Sequence, residues 1–217
     1  MKKKSLIYLI VAVTLAVAFC TLTVLLVCVD VREAGESAAP VGLSTLNLAV
    51  FDLLGQSELA LTVSKLGGLA ILAAVGAFGV LGLVQVITRK GLLRADKELY
   101  LMACGLVALA AAYLLFELVV INYRPVLEDG ALAASYPSSH SMLAVAVAGM
   151  GTGYLVRRLK GVWRVICCVA LNAAAVLTVG GRLLGGVHWL TDIIGGCLFG
   201  LVITFGYLAA CTALKRE

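Results

Sequence analysis

The chain has 217 residues, 62% of them hydrophobic and only 13% charged, and its mean hydropathy is +1.08. A soluble domain carries about 25% charged and about 45–50% apolar residues, so soluble, disordered and nucleic-acid-binding classes are excluded. The formal charge of +5, from 17 Lys and Arg against 12 Asp and Glu, then matters chiefly through where those residues lie.

Apolar runs predict six membrane spans, near Leu6 to Val29, Leu59 to Ile87, Leu99 to Ile121, Met142 to Val156, Val165 to Gly180 and Ile193 to Leu214. At about 20 residues per crossing, six spans use roughly 120 residues and leave only short loops. The expected fold is therefore an all-α polytopic membrane protein, a single six-helix bundle over 1–217. The fourth and fifth runs are short, so their helices must extend into the flanking loops. The first run exceeds the roughly 7–15 residues of a signal-peptide core and is read as a retained span. Between the first two spans, Leu43, Leu46, Val50, Phe51 and Leu54 recur at helical spacing beside Asn47 and Asp52, which suits a short interfacial helix.

Lys and Arg collect on the cytoplasmic side of a membrane. Basic residues cluster at Lys2, Lys3 and Lys4, at Arg89, Lys90, Arg94 and Lys97, at Arg157, Arg158, Lys160 and Arg164, and at Lys215 and Arg216. Six spans put all four clusters on one side, with both termini cytoplasmic. The other side carries Asp30, Glu33, Glu36, Asp52, Glu58, Glu128 and Asp129. Seven cysteines fall within or at the ends of apolar runs, with no metal-ligand spacing, and are read as small buried hydrophobes. Three glycine pairs, Gly67-Gly68, Gly180-Gly181 and Gly195-Gly196, are expected to let helices approach closely.

Both histidines of the chain fall on the outer side. His140 follows Tyr136-Pro137-Ser138-Ser139, and His188 precedes Asp192 by four residues. Arg124 and Arg182 lie on the same side, against the charge bias, and ionisable residues at membrane depth are functional candidates. Together they make a kit for attacking a phosphate. The arginine forks can clamp phosphate oxygens. Ser138 and Ser139, at the expected start of the fourth span, can add hydroxyls and free backbone N–H groups. If the sixth span begins as a helix at His188, Asp192 shares its face and can orient the imidazole as a nucleophile. His140 remains as general acid for the leaving oxygen.

These residues resemble the type 2 phosphatidic acid phosphatase superfamily. Its pattern is a Lys, six residues and Arg-Pro; then Pro-Ser-Gly-His; then Ser-Arg, five residues, His, three residues and Asp. Here Arg124-Pro125, Pro137-Ser138-Ser139-His140, and Arg182, His188 and Asp192 fit, with motifs over about 117–192. The resemblance implies a phosphohistidine on His188, protonation of the leaving group by His140, orientation by Asp192, and phosphate binding by Arg124, Arg182 and Ser138. It implies no metal and no cofactor. Glu117, Ser139 and Gly181 depart from the pattern, standing at its Lys, Gly and Ser positions. Glu117 puts an anion where a phosphate-binding cation belongs. Three explanations are open: Lys65, near the outer end of the second span, supplies that cation and pairs with Glu117; the substrate preference differs from the family's usual one; or the enzyme is much weakened.

The expected function is a metal-independent phosphatase acting on a lipid phosphate or diphosphate at the outer face of the cytoplasmic membrane, with the bilayer and the lipid as its partners. The alternative is a non-catalytic transporter or binding protein for anionic lipid that uses the same arginine pocket. A transporter places its ionisable groups near the midplane, whereas these gather at span ends.

Overall fold

A computed structural model describes residues 3–36, 38–127 and 130–214. Lys2, Glu128, Asp129, Lys215 and Arg216, used above to assign sidedness, lie outside the described residues. The chain forms α1 (Lys3–Cys28), a hairpin of β1 (Arg32–Ala34) and β2 (Ala39–Val41), then α2 (Ser44–Leu54), α3 (Glu58–Thr88), α4 (Lys97–Leu118), α5 (Ser139–Arg158), α6 (Gly161–Leu184) and α7 (Leu190–Leu214). The hairpin is antiparallel, with Glu33 opposite Pro40. It was not expected from the sequence, whereas α2 is the short helix that the spacing predicted.

Five helices, α1, α3, α4, α6 and α7, are long and apolar enough to cross a membrane. The helix missing from that set is α5, and its position explains why. It packs against α6 and α7 and also touches α3 and α4. Nine of its 20 residues are buried, including Ala144, Ala146, Ala148 and Gly151. Small residues let neighbouring helices close on it from every side. A Cβ at Gly149 would fall 2.3 Å from the Thr204 hydroxyl of α7, and one at Gly151 would fall 2.6 Å from Leu171 of α6. A helix surrounded by protein has no need of the Leu and Ile that coat its neighbours.

Those neighbours carry the lipid-compatible surface. Val17, Leu69, Leu114, Val169 and Val176 are exposed on α1, α3, α4 and α6. The cysteines correct one expectation, because only Cys211 is buried while Cys20, Cys28 and Cys104 are exposed. They lie on outward-facing apolar helix surfaces, where a small polarisable side chain is equally at home. Of the glycine pairs, Gly195 and Gly196 both serve close approach, Gly195 to the Tyr136 ring and Gly196 to the Ser138 carbonyl. Gly67 and Gly181 do the same between α3 and α6, while Gly180 faces open space.

The starts of α5 and α7 and the end of α6 meet at one end of the bundle. The hairpin and α2 cover it. Asn47 of α2 accepts from the Thr191 backbone N–H at 3.2 Å and donates to the Thr191 hydroxyl at 3.0 Å, capping α7 from a different helix. Trp189 packs on Phe51 at 5.5 Å between ring centroids and donates its indole N–H to the Tyr123 carbonyl at 2.7 Å. Phe19, Phe116 and Tyr136 form an aromatic cluster, and Tyr136 also shares a 2.8 Å hydrogen bond with Thr23 of α1.

Candidate active site

Three stretches build the site. The first is the loop between α4 and α5, which folds back on itself. Arg124 N–H donates to the Ala133 carbonyl at 3.1 Å, Ser135 N–H donates to the Asn122 carbonyl at 2.9 Å, and Tyr123 pairs with Ala134 in an isolated antiparallel bridge. Arg124 is further fixed by its Nε–H, 3.3 Å from the Ala134 carbonyl. Asn122 and Ser135, opposite one another in this fold-back, both reach Asp192.

The second stretch is the start of α5. Ser138 is the N-cap, and its hydroxyl accepts from the Ser141 backbone N–H at 3.4 Å and the Ser141 hydroxyl at 3.1 Å. Ser138 is fully buried and outside the cavity walls. Ser139, by contrast, lines the cavities on both sides. Of the two serines, one holds the turn and the other faces the open space.

The third stretch joins α6 to α7. Arg182 lies in the last turn of α6, so this helix does extend beyond its apolar run. The chain then reverses through Gly186 at φ 67°, a left-handed conformation suited to glycine. His188 stands in this reversal, outside the helix that begins at Leu190. The shared helix face expected for His188 and Asp192 is therefore absent; the turn itself brings them together. His188 Nδ1 and Asp192 Oδ2 are 3.7 Å apart, beyond hydrogen-bond reach.

Asp192 is wholly buried and both of its oxygens are engaged. Oδ2 accepts from the Trp189 backbone N–H at 2.9 Å and from the Ser135 hydroxyl. Oδ1 accepts from Asn122 Nδ2 at 3.4 Å. Ser135 Oγ also lies 3.1 Å from His188 Nδ1. His188 Nε2 and His140 Nδ1 are buried without hydrogen-bond partners. Burial pushes the His188 imidazole below its ordinary value. Its contact with Asp192 opposes that fall, while the charges of Arg124 and Arg182 add to it.

Two adjoining cavities open around these groups. The smaller, about 10 Å³ and so about the size of a single water site, is walled by Glu117, Arg124, Ser135, Ser139 and His188. The larger, about 470 Å³, is walled by Lys65, Ser139, His140, Thr178 and Arg182, with Leu69, Ile71, Leu72 and Leu143 making it largely apolar. Tyr113 belongs to both walls. Lys65 and Glu117 thus both face the site but on different sides of Tyr113, and no ion pair joins them among the described residues. Also among the described residues, no group of three or more His, Cys, Asp or Glu could hold a metal ion. Asn122 and Ser135 carry no weight in the sequence reading. The only sequence signal was their nearness to Arg124 and Ser138.

An apolar helical bundle with five helices long enough to span a membrane, and with two histidines, two arginines and a buried carboxylate gathered at one end, has the build of a multi-pass membrane protein. Residues 119–216 match the PAP2 superfamily. The fold matches the crystal structure of a transmembrane PAP2-type phosphatidylglycerolphosphate phosphatase from Bacillus subtilis, with a TM-score of 0.66 over 95% of this chain and 97% of that one, at 20% identity. None of the curated proteins matches the chain. Family and fold together support a membrane lipid phosphatase.

Proposed function

We propose that the chain is a six-span lipid phosphatase whose active site, on the extracytoplasmic face of the cell membrane, works through a phosphohistidine on His188. The observation that carries this reading is the His188 Nε2 atom, buried without a partner, on a residue that walls a cavity together with Arg124. As the sixth span, α5 has the length required. Its 20 residues rise about 30 Å, close to the thickness of the hydrocarbon core. The basic clusters at the far end of the bundle support cytoplasmic termini, and 1–217 then forms one domain.

In the proposed reaction, Arg124 and Arg182 hold the phosphoryl oxygens, with Lys65 and Ser139 adding donors. The hydrogen-bonded turn capped by Ser138 supplies free backbone N–H groups. The Nε2 lone pair attacks phosphorus, an N–P bond forms, and the bond to the leaving oxygen breaks as His140 gives that oxygen a proton. Water then attacks the phosphorus and gives a proton to His140. The N–P bond breaks, its electron pair returns to Nε2, and phosphate leaves. The fixed positive charges balance the equatorial oxygens in both steps, so neither step calls for a metal.

The apolar wall of Leu69, Ile71, Leu72 and Leu143 suits a lipid tail. Phosphatidate, diacylglycerol pyrophosphate, phosphatidylglycerophosphate and undecaprenyl diphosphate are the candidate substrates, the third being the one named for the structural neighbour. The deciding experiment is a phosphate-release screen over these four lipids with EDTA present and His188→Ala as control. Release from at least one lipid, lost in the variant, with acid-labile phosphate trapped on the wild-type protein, is expected. Binding without release would favour the anionic-lipid transporter or binding protein instead.

A further inference from the structure

Resting on the phosphohistidine reading, we propose that Ser135 is a positioning residue that joins Asp192 to His188, so that the orienting unit is a chain of three groups. Direct contact between carboxylate and imidazole fails at 3.7 Å. The Ser135 hydroxyl fills the gap, 3.1 Å from His188 Nδ1 and donating to Asp192 Oδ2. A hydroxyl has one proton to donate and two lone pairs to accept with. Because the Ser135 proton is directed to the carboxylate, Oγ can only accept from the ring. Nδ1 must therefore carry the imidazole proton, which leaves the lone pair on Nε2. Nε2 is the ring atom without a hydrogen-bond partner. The serine thus selects the tautomer that can attack.

The surroundings favour this role over simple packing. Ser135 is 2% exposed, His188 2% and Asp192 0%, and hydrogen bonds in such a low-dielectric place are strengthened by their neighbours. Asp192 is itself held by Trp189 N–H and Asn122 Nδ2, and the Ser135 backbone is held by the Asn122 carbonyl. One fold-back therefore fixes both the serine and its acceptor. As Nε2 bonds to phosphorus, positive charge builds on the ring, and the Nδ1–H to Oγ–H to Oδ2 chain presents the Asp192 charge to it without moving a proton.

The test uses the full-length protein in mixed micelles with short-chain phosphatidate, comparing Ser135→Ala, Ser135→Cys, Asp192→Asn, the Ser135→Ala/Asp192→Asn double variant and His188→Ala. Loss of positioning should lower kcat by about 10- to 100-fold in Ser135→Ala while KM stays near the wild-type value. Cysteine keeps the volume with a weaker donor, so Ser135→Cys should fall between the two, and it carries the test if the alanine variant does not fold. Because serine and aspartate act through one path, the double variant should be about as slow as Asp192→Asn alone. Imidazole 15N shifts should show Nδ1–H on His188 in the wild type and a mixed tautomer in Ser135→Ala. The assignment is tractable because the chain has 2 histidines. Wild-type kcat in Ser135→Ala, or losses that multiply in the double variant, overturn the proposal. A wild-type protein that releases phosphate from none of the four candidate lipids, or a His188→Ala variant that still does, brings down the underlying reaction as well, whereas the tautomer measurement bears on the relay alone.

Discussion

Gly181 of α6 lies directly against Ser64 of α3. A Cβ built at position 181 would fall 2.6 Å from the Ser64 Cβ and 2.4 Å from the Ala60 carbonyl oxygen. The same interface is tied by the Ser64 hydroxyl, which donates to the Thr178 carbonyl at 2.8 Å. The next residue on each helix, Lys65 on α3 and Arg182 on α6, walls the larger cavity. Glycine at 181 therefore lets α3 and α6 approach this closely, next to the two cationic residues of the cavity wall.

Gly181→Ser should accordingly do harm, although it restores the family pattern. A backbone carbonyl cannot rotate aside as a flexible side-chain end can, so the helices must part. Overpacking of this kind costs about 1–3 kcal/mol. A lower melting temperature in detergent and a raised KM, with Lys65 displaced, are expected. Faster turnover with unchanged melting would refute this account of the departure.

Lys65→Met should weaken binding of the phosphate without abolishing turnover. A hydrogen bond to a charged group contributes about 1.5–3 kcal/mol, so KM should rise roughly 10- to 100-fold. Glu117 walls the other cavity and is not ion-paired with Lys65, so Glu117→Gln should leave the effect of Lys65→Met intact. Steady-state kinetics on the two single variants and the double variant check this. Unchanged turnover and affinity in Lys65→Met would remove Lys65 from the site.

The pH profile should carry the mark of His188. Attack needs the neutral ring, and burial with two nearby arginines lowers the imidazole's value. The acid limb of kcat/KM should then lie below about 6.5, the ordinary histidine value. Asp192 acts in the opposite sense, raising it. Replacing Asp192 with Asn removes that upward effect, so the limb of the slower variant should move further towards acid. A shift towards neutral pH would show that the sign is wrong.

Much of this architecture was legible as pattern, because membrane helices and basic clusters follow from composition at single positions. The start of α5 at Ser139 and the extension of α6 past Arg182 followed from runs too short to cross a membrane alone. The pairing of His188 with Asp192 was legible as spacing but not as geometry. Four residues suggest a helical face, whereas Gly186 reverses the chain and leaves the histidine in a turn. Ser135 and Asn122 could not be read at all. Their roles depend on a fold-back that sets residues 13 positions apart against one carboxylate, and no local periodicity encodes such a contact.

At the far end of the bundle, Asp96 should govern stability and leave catalysis alone. It precedes α4 and gathers three helices. Its carboxylate accepts from Gln85 Nε2 at 3.0 Å, the Tyr154 hydroxyl at 2.9 Å and Arg89 at 3.0 Å, with Arg158 at 3.3 Å. Burial raises its pKa, but the hydrogen bonds from Tyr154, Gln85 and Arg89 and the charge of Arg158 outweigh this and hold it below the usual value. Since the folded value is depressed, the stabilisation is present above the ordinary aspartate value of about 3.9 and is lost as pH falls through the folded one. Asp96→Asn keeps the shape and loses the charge. The arginine side chains are 45% and 41% exposed, so screening limits each ion pair to about 1 kcal/mol at most. The variant should melt a few degrees lower at neutral pH, with kcat and KM unchanged. Below about pH 4 the wild type should converge on it, so melting curves of the two proteins across that range decide the matter. A gap that persists in acid would trace the loss to packing instead of charge.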